Sequence, residues 1–191
     1  MNMKIRNLLL VSLAVPFLQS CAPLLIGAGV GATAMFAEDR RSSGIVLEDQ
    51  TIESKAKNRI DEKYGSQAYY NVTSFNRHVL LTGQAPTEEI REDLAVLVLE
   101  VPNVRNVQNE MVIAGNTSFS SHTSDTFITG RVKGNIAQNK EIEANHVKVV
   151  TENGTVFLMG IVTRAEGDAA AQAASTSSGV QRVVKVFEYL D

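Results

Sequence analysis

The side chains that could perform acid–base, nucleophilic or metal chemistry are few, and they are scattered along the chain. The three histidines are His78, His122 and His146, and Cys21 is the single cysteine. Metal sites need several nitrogen, sulfur or oxygen ligands that converge, and no spacing of such residues here predicts a ligand set. The serine-rich residues 118–124 contain no nucleophile-elbow pattern. We therefore predict a protein that is not an enzyme and that holds no metal or cofactor.

The residues that precede Cys21 indicate a different kind of chemistry for its side chain. Residues 1–6 contain two basic side chains and residues 8–18 are mostly apolar, which is typical of a secretory signal peptide. This run is shorter than the about 20 apolar residues that a membrane-spanning helix needs. Residues 18–21, Leu-Gln-Ser-Cys, resemble the lipobox of bacterial lipoproteins. The resemblance implies that Cys21 is acylated with fatty acids such as palmitate and becomes the first residue of the mature chain.

The alternative is an ordinary cleaved signal in which Cys21 stands by chance. A single cysteine has no disulfide partner within the chain, and Cys21 occupies the position that a lipobox requires, so we favour lipidation. Stable anchoring needs more than one acyl chain, and a triacylated cysteine satisfies this requirement. Lipoproteins retained in the inner membrane typically have Asp after the cysteine, whereas Ala22 follows here. The resemblance therefore implies an outer-membrane location that faces the periplasm.

The composition excludes one class of partner. The formal net charge is −3 at pH 7 and no basic stripe stands out, so we predict no nucleic-acid binding. After the cysteine, residues 23–37 are apolar and rich in glycine and alanine, but too short to span a bilayer. The sequence leaves open whether they lie at the lipid surface or pack on the folded domains.

The rest of the chain divides into two similar halves, each of which begins with a helical pattern. Three apolar residues in each half have the spacing of one buried helical face: Ile52, Ala56 and Ile60, then Ile128, Val132 and Ile136. Asp49 and Asp125 precede these residues and favour helix starts. We therefore predict two copies of one small module, joined by a polar linker.

A β-hairpin pattern follows each helix. In the first half, a tight turn joins predicted strands at residues 72–75 and 79–83. In the second half, a turn at Glu152-Asn153-Gly154 joins predicted strands at residues 147–150 and 156–160. Asn-Gly between β-rich runs is a strong hairpin signal, because both turn positions need a positive φ. We expect the second loop to be two residues longer than the first.

The second half of each module predicts one more helix and one more strand. The helices are expected at residues 87–99 and 164–175, and the strands at 104–113 and 180–189. The predicted order in each half is therefore α-β-β-α-β.

This order, with a glycine closing the second strand and a Val-x-x-Val entry to the third, resembles the BON domain. The residues that carry the resemblance are 79–83 with 104–107 in the first half and 156–160 with 180–183 in the second. The implied fold class is α+β, with two tandem BON modules that each pack a three-stranded mixed sheet on two helices. The predicted divisions are a lipoprotein signal peptide at 1–20, an acylated tether at 21–47, module 1 at 48–115, a linker at 116–122 and module 2 at 123–191.

Together with the lipobox, this architecture resembles the dual BON-domain outer-membrane lipoproteins of the DolP/YraP family. The resemblance implies that the second module binds anionic phospholipids, such as phosphatidylglycerol or cardiolipin, through its first helix. It also implies a role in outer-membrane integrity and enrichment at the cell-division site. Family members have Trp where Phe127 stands, so this chain keeps the apolar anchor but lacks the indole N–H.

The two halves differ at this same position. Alignment of the first helices places Thr51 opposite Phe127, so one half presents a polar side chain where the other presents an aromatic one. An exposed aromatic beside basic residues and small glycines is typical of a membrane-docking surface. The predicted phospholipid-binding residues are Phe127, Gly130, Arg131, Lys133 and Gly134. The alternative is that Phe127 packs against the other module or under the linker.

The balance of charge also separates the halves. Residues 48–115 carry 7 Lys/Arg against 11 Asp/Glu, whereas residues 123–191 carry 7 against 8, so anionic lipid repels the second module less. A rival function is an adaptor that uses the same face to bind proteins of the envelope or division machinery. A third candidate function is an enzyme that acts on envelope polymers, but the sequence contains no catalytic groups that would support it. The sequence leaves open whether the modules pack sheet to sheet or swing independently.

Overall fold

The computed structural model describes residues 39–114 and 122–191. Residues 40–191 belong to one compact unit. The predictions on Cys21, on the signal peptide, on most of the tether and on linker residues 116–121 lie outside the described ranges. Within residues 39–114 and 122–191, no helix has the length and apolar character needed to cross a membrane.

The first module packs two helices on one face of a mixed sheet. Its elements are α1 (Ser43–Tyr64), β1 (Tyr69–Phe75), β2 (His78–Ala85), α2 (Glu88–Leu99), β3 (Asn106–Asn109) and β4 (Val112–Ile113). β1 pairs antiparallel with β2, whereas β3 and β4 pair with β2 in parallel. The strand predicted at 104–113 is interrupted between β3 and β4, where Met111 is buried in the core of this module.

The second module repeats this arrangement. Its elements are α3 (His122–Gln138), β5 (Val147–Glu152), β6 (Thr155–Val162), α4 (Arg164–Ser175) and β7 (Arg182–Tyr189). β5 pairs antiparallel with β6, and β7 pairs with β6 in parallel. The predicted fold class, two α-β-β-α-β modules with mixed sheets, is confirmed.

The first helix begins earlier than the sequence predicted. The hydroxyl oxygen of Ser42 accepts a hydrogen bond from the backbone N–H of Ile45, and α1 starts at Ser43. A serine in this position satisfies one of the free N–H groups at a helix start. The expected start at Asp49 is therefore wrong, because α1 already includes residues 43–48.

Three apolar clusters stabilise the described unit. The six apolar helix residues predicted from spacing are all buried, in one core per module between sheet and helices. A third cluster contains Phe75 and Leu80 from one sheet and Phe157 and Met159 from the other. Neighbouring strand residues point to opposite faces, so these four lie on the sheet faces that the helices leave open. Of the two alternatives for module packing, the structure therefore has the modules sheet to sheet.

Polar contacts at the edges add to this interface. The ammonium of Lys148 in β5 donates to Glu53 Oε1 at 3.1 Å and to the carbonyl oxygen of Ser74 at 3.2 Å. At another edge, the side-chain amide of Asn76 donates to Glu188 at 2.6 Å. The modules are thus held by an apolar centre with polar contacts around it.

Arg40 joins the start of the described chain to the second module. Its guanidinium donates to both carboxylate oxygens of Glu166, at 2.7 and 2.8 Å, and to the carbonyl oxygen of Ile161 at 2.8 Å. Hydrogen bonds from Arg40 lower the pKa of Glu166 to about 2, although partial burial opposes the shift. Because the folded pKa lies below the ordinary value of 4.5, this pair stabilises the fold above about pH 4.5. The contribution is lost as the pH falls from there towards about 2.

Substitution of Arg40 by Ala is therefore expected to raise the pKa of Glu166 towards its ordinary value. The carbon-13 chemical shift of the Glu166 carboxyl, followed by NMR over acidic pH, measures this pKa. Arg59→Ala, which removes an ion pair with Glu100 in the first module, is the matched control and should leave Glu166 unchanged. A Glu166 pKa that stays near 2 in Arg40→Ala would show that the bonds from Thr163 maintain the shift instead.

Candidate functional site

Two buried aspartates position the first helix of each module against its hairpin. Asp49 accepts hydrogen bonds from the backbone N–H groups of Asn76 and Arg77, at 2.9 and 2.8 Å. Asp125 does the same for Asn153 and Gly154, at 2.8 and 2.9 Å. The sequence indicated only that both aspartates favour helix starts, and it carried no local signal for this contact with the turn. Their equivalence makes Asp49 the counterpart of Asp125, so Thr51 is the counterpart of Phe127.

The two hairpin turns have the same length. Asn76 and Arg77 have φ values of 52° and 67°, and Asn153 and Gly154 have 48° and 72°. Both are two-residue turns with positive φ at each position, the geometry that suits a tight hairpin. The prediction that the second loop is two residues longer is therefore wrong.

The outer face of α3 is formed by residues on the side away from the core. Ile128, Val132 and Ile136 are buried, and successive helix residues are about 100° apart, so Phe127 points away from the core. Arg131 lies about 40° around the helix from Phe127, on the flank beside it. The side chain of Phe127 is 64% exposed, so it does not pack against the first module. A Cβ added at Gly130 or Gly134 would meet nothing within 4 Å, so this surface is low and open.

We define the α3 face as Phe127, Gly130, Arg131 and Gly134. The structure brings these four predicted residues together but separates the fifth. Lys133 lies about 120° around the helix from Phe127, where it lines a cleft between the modules. Arg131 donates one hydrogen bond to the carbonyl oxygen of Ser178 at 3.2 Å, which leaves most of its donors for an external anion.

The electrostatic setting distinguishes the α3 face from the exposed apolar residues of α2. The only acidic residue of α3 is Asp125, and its carboxylate is buried against the hairpin turn. By contrast, Val96 and Leu99 of α2 are about half exposed, but Glu92 and Glu100 flank them in the sequence. An anionic membrane surface would repel that part of α2, whereas Arg131 would attract the same surface to the α3 face.

His78 and His146 belong to different modules and do not form a common site. His78 is the first residue of β2, not part of the hairpin loop, and its Nε2 lies 4.0 Å from Glu188. The Nδ1 of His146 is buried without a hydrogen-bond partner and lies 3.5 Å from Glu166. No group of three or more potential metal ligands occurs in the parts of the chain that the structure describes.

Comparisons with known proteins agree with this fold. The model of the BON domain family matches residues 48–115 and 124–191. The outer membrane lipoprotein DolP of Haemophilus influenzae is 38% identical over 92% of this chain and 91% of that protein. A 21 kDa hemolysin of Actinobacillus pleuropneumoniae is 35% identical over 80% and 79%, respectively. Osmotically-inducible protein Y of Escherichia coli is 26% identical over 73% of this chain and 72% of that protein.

Among solved structures, the C-terminal domain of CdsD from the type III secretion system of Chlamydia trachomatis is 16% identical. The likeness covers 75% of this chain and 67% of that chain, with a TM-score of 0.30.

Two α-β-β-α-β modules, each matched by the same family model, define the class as dual BON-domain proteins. The chain belongs to the DolP/YraP family of outer-membrane lipoproteins within this class. The protein is thus an outer-membrane lipoprotein of the bacterial envelope. Acylation at Cys21 stays a prediction, because that residue lies outside the described ranges.

Proposed function

We propose that the protein docks on anionic phospholipid through the α3 face and thereby supports outer-membrane integrity at the division site. The observation that carries the docking proposal is the 64% exposure of Phe127 beside Arg131, at a position where the first module has Thr51. The roles in membrane integrity and division follow from the family resemblance. The proposed activity is binding rather than catalysis.

The energetics allow weak, reversible docking. Burial of an exposed Phe side chain in lipid contributes about 1.5–3 kcal/mol. A basic residue near an anionic surface adds about 1 kcal/mol. Neither alone gives a tight complex, but acylation at Cys21 would hold the module near the membrane and raise its effective concentration. The α3 face then needs only modest intrinsic affinity.

We expect Phe127→Glu to lower partitioning onto phosphatidylglycerol vesicles by at least about tenfold, because the aromatic anchor is replaced by a repelled charge. The measurement is co-sedimentation of the secreted chain carrying Cys21→Ser, which removes the anchor and keeps every described residue. Thr51→Glu is the matched control, since it places the same charge at the equivalent position of the first module. Phosphatidylcholine vesicles should bind weakly.

NMR chemical shifts test where the lipid binds. Titration with phosphatidylglycerol micelles should move resonances clustered in residues 124–136. Unchanged partitioning of Phe127→Glu, or shifts that cluster elsewhere, would refute the docking surface. A single abundant protein adduct from a photo-cross-linker at position 127 in cells would favour the adaptor function instead.

A further inference from the structure

A cleft of about 630 Å³ opens between the two modules, on the side of α3 where Lys133 lies. The N-terminal half of α1 forms one wall, and the C-terminal half of α3 with the start of β5 forms the other. Its apolar lining includes Val46, Phe75, Ile136, Ala137, Val147 and Val149. This volume lies within the range of sites that bind small organic ligands.

The two acidic residues that line the cleft are already paired within the protein. Asp49 accepts from Ser74 Oγ at 2.6 Å and from Arg41 at 3.0 Å, in addition to the two turn N–H groups. Glu53 Oε1 accepts from the backbone N–H of Ser74 at 2.8 Å and from Lys148 at 3.1 Å. Neither carboxylate therefore needs a cation from outside.

Basic groups on the cleft retain donors that are not used. Lys133 is exposed and has no hydrogen bond or ion pair among the described residues. Lys148 uses two of the three donors of an ammonium, and its side chain is 39% exposed. The cleft thus combines apolar walls with two ammonium groups that can still bind an anion.

We propose that this cleft binds a single-chain anionic amphiphile. Its acyl chain lies against the apolar walls, and its anionic group accepts hydrogen bonds from Lys133 and Lys148. Carboxylate and phosphate oxygens form strong charge-assisted bonds with such donors, so a long-chain carboxylate and a lysophospholipid share the required chemistry. This site is separate from the α3 face and does not depend on docking there.

The chain itself offers a competing occupant. Residues 23–37 are apolar and precede Arg41, which lines the cleft. They carry no charge, so they would leave the ammonium groups of Lys133 and Lys148 without an anionic partner. Charge complementarity therefore favours the amphiphile.

Calorimetric titration of the secreted chain carrying Cys21→Ser tests the proposal. Palmitate and lysophosphatidylglycerol, each below its critical micelle concentration, are expected to bind with one-to-one stoichiometry. The ligand that binds more tightly shows whether the site prefers a carboxylate or a phosphate group. Sodium phosphate, the head group chemistry without a chain, should show no saturable binding. Ala137→Trp fills the cleft from an exposed helix position and should weaken binding at least about tenfold. Lys133→Gln should weaken it about fivefold, through loss of a charged donor.

Further variants separate this site from the α3 face. Phe127→Glu should leave palmitate binding unchanged while it reduces vesicle partitioning, and Ala137→Trp should do the reverse. Val46→Trp fills the cleft from the opposite wall and replaces Ala137→Trp if that variant does not fold. Binding that neither cleft-filling variant changes by more than twofold, or phosphate binding as tight as palmitate binding, would overturn the proposal. Amphiphile binding only after deletion of residues 22–38 would assign the cleft to the chain's own segment.

Discussion

Replacement of Gly83 by Ala is expected to lower the free energy of unfolding by about 3–5 kcal/mol, through backbone strain and steric overlap together. Gly83 has a φ of 122°, which side-chain-bearing residues rarely adopt. An added Cβ would overlap the carbonyl oxygen of Tyr69 and lie 2.8 Å from the Cα of Tyr70. Because these are backbone atoms, no change of rotamer relieves the overlap.

Urea unfolding of the secreted chain carrying Cys21→Ser measures this effect. Gly160 is the equivalent residue of the second module, where an added Cβ would overlap the carbonyl oxygen of His146 but φ is not positive. Gly160→Ala should therefore lower the free energy of unfolding less than Gly83→Ala does. Gly130→Ala, with nothing within 4 Å, should stabilise the protein by up to about 1 kcal/mol through helix propensity. A loss below about 1 kcal/mol for Gly83→Ala would contradict the predicted close approach of β1 and β2.

Substitution of Asp49 by Ala is expected to lower the free energy of unfolding by about 3–5 kcal/mol, because it leaves buried hydrogen-bond donors without an acceptor. Asp49 is only 3% exposed. Its carboxylate accepts hydrogen bonds from Ser74, from Arg41 and from the N–H groups of the first hairpin turn. Asp125 accepts two hydrogen bonds from the N–H groups of its own turn, so Asp125→Ala should lower the free energy of unfolding less, by about 2–3 kcal/mol.

Amide hydrogen exchange provides a local readout for this prediction. The amides of Asn76 and Arg77 should lose protection in Asp49→Ala, whereas those of Asn153 and Gly154 should lose it in Asp125→Ala. Asp168→Ala is the control, because that residue's ion pair with Lys185 is exposed and such pairs contribute about 0–1 kcal/mol. Equal losses of stability in Asp49→Ala and Asp168→Ala would show that the buried carboxylate does not hold the turn.

The sequence by itself determined the element order and the core face of each first helix. A helix that buries one face repeats its apolar residues every three or four positions, so Ile52, Ala56 and Ile60 could be identified without coordinates. The same is true of the Asn153-Gly154 turn, since its residue types favour positive φ. The Asn76-Arg77 turn carries no such local signal at Arg77, and its geometry depends on Asp49 from a distant helix.

Only the tertiary structure decided how the modules meet and what their glycines do. The glycines at positions 83 and 160 were expected to close their strands, but both lie within them, because the constraint is contact with the neighbouring strand. A local signal for the sheet-to-sheet interface does exist in the continuous apolar run of residues 156–159, which indicates a strand buried on both faces. That run could not identify the covering surface. Likewise, closeness in the sequence grouped Lys133 with Phe127, but Lys133 lies about 120° around α3 from it, and the packing of the modules places it on the cleft.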